Sequence, residues 1–181
     1  MDEKSDARLV QSCLAGNVKA FERLVEKYQT TVYNIAFRMT ANFDDAEDIA
    51  QAVFIKIYEQ LDKYNPKFKF FSWLYRIALN ESLNARKQKK HLTELDDDII
   101  WTNSVDKNYS RMETNERVQE ALMLISAEQR LLIVLKHFEA LSYQEIAFCL
   151  DLSEKKVKSR LYDARQMLKN VLVTRGMLQD D

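Results

Sequence analysis

Trp73, Arg76, Asn80, Asn84 and Lys87 are spaced i, i+3, i+7, i+11 and i+14, so a helix through them presents all five on one side. These side chains match the chemistry of unpaired nucleic acid: an indole stacks a base, amides bond its edge, and cations hold the neighbouring phosphates. Glu81 is the only acid between Phe68 and Lys90. The residues just before, Asn65-Pro66-Lys67-Phe68-Lys69, repeat the basic-aromatic mixture, and Pro66 keeps Asn65 out of helical geometry, which makes a stiffened loop. The plainer alternative is a core helix with a polar outer face and a buried Trp73.

A second row lies near the C-terminus. Lys155, Lys158, Ser159, Tyr162, Gln166 and Lys169 fall opposite an apolar stripe of Val157, Leu161, Ala164, Leu168 and Leu172, with Arg160 and Arg165 on the flanks. Just upstream stand a capping-box pattern, Ser142-Tyr-Gln-Glu145, a short helical pattern from Tyr143 to Leu150, the turn Asp151-Leu152 and the cap Ser153. A short and a long helix across such a turn form a helix-turn-helix. A cationic outer face on its second helix favours DNA binding over a generic amphipathic helix in a bundle. A third row, Glu47, Asp48, Gln51 and Lys56, lies opposite Ala46, Ile49, Ala50, Val53, Phe54, Ile57, Tyr58 and Leu61. It fits either an ordinary solvated face or an acidic docking surface for a basic partner.

Catalytic chemistry finds little footing. Cys13 and Cys149 have no second Cys or His at metal-ligand spacing, and they read as buried or incidental thiols. His91 and His137 are equally isolated, and the chain carries no Gly-rich phosphate loop. No metal or cofactor is expected.

The elements behind these rows follow from composition and pattern. Only 2 Gly and 1 Pro interrupt the chain, and its periodic segments are rich in Leu, Ala, Glu, Lys and Gln, which predicts an all-α protein. The net charge of −1 hides a segregated distribution: the stretches around 65–90 and 154–175 are basic, and 91–113 is acidic. The periods predict helices over Ser5 to Leu14, from a cap at Asn17 to about Met39, from Asp44 or Asp45 to Leu61, and from a cap at Ser72 to about Lys89. In the last of these, Leu74, Ala78 and Ala85 share the inner side, with Tyr75, Leu79 and Leu83 beyond them. Two further helices are expected over Glu116 to Ile125 and after a capping box at Ser126-Ala-Glu-Gln129. Between the first four helices and these, no helical period runs from His91 to Met112. The expected architecture is two small helical domains, 1–90 and 113–181, joined by a flexible acidic linker, 91–112. Leu95, Ile99, Ile100 and Trp101 of that linker are suited to docking on something. The polar N-terminus and the lack of any long apolar run predict no membrane insertion and a cytoplasmic protein.

Two motifs together resemble a known family. Asp45-Ala-Glu-Asp-Ile-Ala-Gln51 with Phe54, followed by Phe71-Ser-Trp-Leu-Tyr-Arg-Ile-Ala-Leu-Asn80, is similar to region 2 of a bacterial sigma factor. Leu141-Ser-Tyr-Gln-Glu-Ile-Ala147 with Val157-Lys-Ser-Arg-Leu161 resembles region 4. The small size and the two regions alone resemble the extracytoplasmic-function (ECF) class of the sigma-70 family. The resemblance implies a factor that binds core RNA polymerase, through the β′ clamp helices and the β flap, and directs it to promoter DNA. It implies that Glu47, Asp48, Gln51 and Phe54 dock on the clamp helices. Asn65, Lys67, Phe68, Lys69, Trp73, Arg76 and Asn80 would then capture a base flipped from the −10 element. Lys155, Lys158, Ser159, Arg160, Tyr162 and Arg165 would read or hold the −35 element. An anti-sigma factor is an implied partner.

The chain departs from the family pattern at three places. Ile125-Ser126 replaces a common Leu-Pro, Lys155-Lys156 stand where Gly-Thr is usual, and Asp163 sits where an Arg is frequent. A carboxylate beside phosphates costs affinity unless it accepts from a cytosine amine, so these positions bear on the −35 sequence preferred. A helix-turn-helix regulator without polymerase leaves the Trp73 row without a role.

Overall fold

A computed structural model of the chain describes residues 3–93 and 111–177, and every regular element among them is helical. The first half holds α1 (Glu3–Leu14), α2 (Val18–Thr40), α3 (Phe43–Glu59), a 3₁₀ turn (Leu61–Lys63) and α4 (Phe70–Thr93). The second holds α5 (Arg111–Leu124), α6 (Ala127–Ile133), a π-helical turn continuing it (Val134–Phe138), α7 (Tyr143–Leu150) and α8 (Glu154–Thr174). Most of the expected linker, with Leu95, Ile99, Ile100 and Trp101, lies outside the described residues. Its two ends are helical, because α4 runs on to Thr93 and α5 starts at Arg111. No Gly or Pro stops either helix, and the Arg-Lys-Gln run after Ala85 has high helix propensity.

The first half is built on α2, which packs on α1, α3 and α4. Leu24, Tyr28, Val32, Ile35, Ala36 and Met39 are its buried side. Tyr28 donates to the buried Asp6 carboxylate at 2.6 Å, and Lys27 pairs with the other oxygen of Asp6. A carboxylate taken out of water is thereby satisfied by two donors from one turn of the next helix.

Three helix starts differ from the local expectation. Asn17 stands at the N-cap of α2 but caps nothing, because its amide donates to Ser12 Oγ at 3.0 Å. Asn42 rather than an aspartate caps α3, accepting from the Asp45 N–H at 2.8 Å. Ser72 is no cap. α4 begins at Phe70, and Phe70, Phe71 and Ser72 are all buried, so burial of the two aromatics draws the helix start upstream.

In the second half, both capping boxes form: Ser126 with Gln129, and Ser142 with Glu145. Asp151 adopts a left-handed conformation, φ 54°, and ends α7, while Ser153 accepts from the Lys156 N–H to start α8. Val157, Leu161 and Ala164 bury the inner stripe of α8 against α5, α6 and α7.

The two halves also meet. α4 packs on α7 and α2 on α5, so the buried residues form one continuous core from Val10 to Ala164. The polar seam of this contact centres on the C-terminus of α2. There Gln119 donates to the Arg38 carbonyl at 3.1 Å, and Arg130 donates to the Met39 carbonyl at 2.6 Å. Arg130 is fully buried, and its other N–H groups reach the carbonyls of Leu122, Met123 and Ile125 at the end of α5. Burial, followed by the Arg86 charge, lowers its pKa. Among the described residues no carboxylate pairs with it, and the negative ends of two helix dipoles take that role.

Candidate nucleic-acid and polymerase interfaces

The loop between the 3₁₀ turn and α4 is braced from within. The Asn65 side-chain oxygen accepts from the Lys67 N–H at 3.0 Å, the Asn65 carbonyl from the Phe68 N–H at 3.1 Å, and the Phe68 carbonyl from the Tyr64 hydroxyl at 2.5 Å. Asn65, Lys67, Phe68 and Lys69 are consequently held outward on a short, ordered arc. Trp73 stands at the foot of this arc, half-buried, tilted on Tyr64 at 5.6 Å and on Phe70 at 5.9 Å between ring centres. It is packed against the core but only partly covered, so it is not the fully buried tryptophan of the plainer reading. Asn80, Asn84 and Lys87 continue the row in solvent, with Arg76 half-buried. The structure therefore brings the loop and the start of α4 together, with the amides and Lys87 leading away along the helix.

Two of these loop residues already have partners in the second half. The Phe68 ring stacks on Phe148 of α7, 4.2 Å between centres and 26° apart. Lys69 pairs with Glu145 at 3.0 Å. Burial works against the Glu145 carboxylate, but its bonds to Ser142 and the Lys69 ammonium outweigh it and lower the pKa. Nearby, Tyr75 donates to Glu139 at 2.9 Å, the Arg38 guanidinium lies 3.5 Å over the Phe138 ring, and the Cys149 thiol donates to the Ser72 carbonyl at 3.4 Å. Burial pushes the Cys149 pKa up to about 12, so this thiol is inert. Phe148, Glu139, Gln119, Arg130 and Arg38 have no role in the sequence reading. Each touches a residue roughly 60 or more positions away, as in the 64 residues between Tyr75 and Glu139, and no local pattern marks such a pair.

On α8, Lys155, Lys158, Ser159, Arg160 and Tyr162 are exposed as expected. Tyr162 is 61% exposed, a large apolar surface for a residue without a role in folding. Lys158 lies 5.4 Å from the Tyr143 ring, and Arg160 is 3.8 Å from Glu128, a loose and solvated pair. Arg165 is half-buried and donates to His137 Nε2 at 3.1 Å. Burial, then the Arg165 and Lys136 charges, lower the His137 pKa, which keeps the imidazole neutral and able to accept. Asp163 is exposed on the same helix.

On α3, Glu47, Asp48 and Gln51 are exposed, and Phe54 is half-buried against the core. Tyr58, expected inward, is 59% exposed and rests edge-on against Phe21, and Ile55 beside it is 60% exposed. Asp44, Asp48, Gln51, Ile55 and Tyr58 thus form one outward stripe, acidic at the start and apolar at the end. Among the described residues no group of three His, Cys, Asp or Glu is placed to hold a metal, and no helix is long and apolar enough to cross a membrane.

Comparison with known proteins agrees with this layout. The Sigma-70 region 2 family model matches residues 24–91, and the Sigma-70, region 4 model matches residues 115–168. The ECF RNA polymerase sigma factor SigW of Bacillus subtilis (strain 168) is 31% identical over 171 residues, covering 87% of this chain and 91% of its own. The solved structure of CnrH in complex with the cytosolic domain of CnrY superimposes with a TM-score of 0.73 at 27% identity, over 94% of this chain and 98% of CnrH. The sigma factor RpoE of Bartonella quintana, solved with the anti-sigma factor NepR, shares the fold with a TM-score of 0.71 at 24% identity, over 85% and 97%. With region 2 spread over α2 to α4 and region 4 over α5 to α8, the chain belongs to the sigma-70 family, among its ECF sigma factors.

Proposed function

We propose that this sigma factor divides promoter recognition between the surfaces described above. Residues 1–90 serve core polymerase and the −10 element, 91–112 link, and 113–181 serve the −35 element. The outward side of α3, with Glu47, Asp48 and Gln51 exposed and Phe54 half-buried beside them, meets the β′ clamp helices, and the exposed Ile55 and Tyr58 extend that contact. The β flap is a further contact of core polymerase in this reading. The Asn65 to Lys69 loop and the Trp73, Arg76 and Asn80 row capture a base of the opened −10 element. Lys158, Ser159 and Tyr162 face −35 base edges, and Lys155, Arg160 and Arg165 hold the backbone. The protein acts in the cytoplasm, catalyses nothing itself, and has an anti-sigma factor as a regulatory partner.

What supports this reading is one chain holding two unlike exposed surfaces: an aromatic-basic loop leading into α4 and a capped helix-turn-helix with a cationic outer face. Energetics agree with a factor that works inside a larger machine. Opening about ten base-pair steps costs roughly 14 kcal/mol, and each base stacked on an aromatic returns about 1–3 kcal/mol. Trp73 and its loop hold one or two bases, so polymerase supplies the remainder.

Run-off transcription with purified core polymerase, on sheared genomic template, tests the function. Discrete transcripts that require this protein are expected, and their absence on every template would reject the assignment. For the −35 surface, Lys158→Ala is expected to weaken duplex binding and, for a phosphate contact, to reduce the log–log salt slope by about one. An unchanged affinity at low salt would remove Lys158 from the interface.

A further inference from the structure

The contact of the −10 loop with α7 uses the same two side-chain functions that would hold DNA. An aromatic face on the loop, Phe68, is covered by another aromatic face, Phe148, at stacking distance. A loop cation, Lys69, is neutralised by an anion, Glu145, at 3.0 Å. We propose that α7 acts as an internal nucleotide mimic, with Phe148 in the place of a stacked base and Glu145 in the place of a phosphate. The free chain then has to release α7 before its loop can take single-stranded DNA. The proposal rests on the assignment of this loop to the −10 element.

The rest of the arrangement suits a removable cover. Glu145 is anchored for the task, since its carboxylate also accepts from the backbone N–H and hydroxyl of Ser142 at 2.8 Å. The capping box that starts the helix-turn-helix thus aims the carboxylate at Lys69. Around it the halves also meet through the polar bonds of Tyr75 to Glu139 and Gln119 to the Arg38 carbonyl, beside the apolar core they share, so release of α7 opens this seam as well. The outward residues of α8 take no part: Lys155, Lys158, Ser159 and Tyr162 remain exposed. The cover falls on the single-strand surface and leaves the duplex-reading face open, which orders the steps as duplex contact first and base capture after release. Because apparent affinity scales with the fraction of open molecules, weakening the cover tightens DNA binding without any new contact.

The test measures binding of the full-length protein, without polymerase, to a fluorescein-labelled single-stranded DNA 12-mer of degenerate sequence at fixed low salt. Glu145→Gln keeps an oxygen for the Ser142 cap and removes the charge, and it is expected to tighten binding about two- to fivefold. Phe148→Ala removes the stack and is expected to tighten it about five- to tenfold, with a larger radius of gyration by small-angle scattering. Lys67→Ala, exposed in the same loop, is expected to weaken binding in every background. If Lys67→Ala weakens binding while neither α7 variant tightens it, the mimic is rejected and the loop assignment stands. If Lys67→Ala has no effect, the loop assignment fails and takes the mimic with it. Glu145→Gln decides the matter if Phe148→Ala does not fold.

Discussion

Replacing Arg130 with Met is expected to cost the fold about 3–5 kcal/mol and to lower its melting midpoint by about 10 °C. Methionine fills much of the volume, so packing changes little. What is lost is a set of donors. Arg130 serves carbonyls at Leu122, Met123, Ile125 and Met39, and those at the end of α5 and α2 have no solvent to turn to once it is gone. Each buried acceptor left unpaired costs about 1–3 kcal/mol. Lysine is a poor substitute, because one ammonium cannot span carbonyls on two helices as a planar guanidinium does. Urea unfolding, read against the wild type, measures the effect. A loss below about 1 kcal/mol would mean that water enters and takes over the guanidinium's bonds.

Trp73→Ala is expected to reduce promoter opening by one to two orders of magnitude while leaving binding to core polymerase intact, matching the loss of about 1–3 kcal/mol from one stacked base. Its packed edge complicates the reading, since the ring also rests on Tyr64 and Phe70. Trp73→Leu separates the two roles: it retains much of the packing and offers no aromatic face. Asn80→Ala approaches the same step from an exposed position, where truncation disturbs no core. Permanganate footprinting of the melted strand reads opening, and native gel shift of core polymerase reads assembly. Equal losses in both assays would show Trp73 to be a structural residue alone.

Much of this molecule is legible from short range. The capping boxes at Ser126 and Ser142, the cap at Ser153, the inner stripe of α8 and the exposed row from Asn80 to Lys87 all stand where local pattern puts them. A cap acts over three residues and a helical face over about four, so the neighbouring sequence carries the whole signal. The same scale explains the misreadings. Asn17 and Ser72 are competent caps by type, yet Ser12 competes for the first and the burial of Phe70 and Phe71 overrides the second.

Tertiary structure alone decided how the two halves meet. Arg130 and Gln119 look like surface residues in sequence, and they became the polar seam because the C-terminus of α2 offered carbonyls that had to be satisfied. Tyr58, patterned as core, turned outward once Ala46, Ile49, Val53 and Ile57 had filled the inner face of α3. Phe68 and Phe148 are each ordinary aromatics in their local sequence. Only the approach of α7 to α4 pairs them, and a contact across eighty residues is set by how helices pack, which no window of sequence contains.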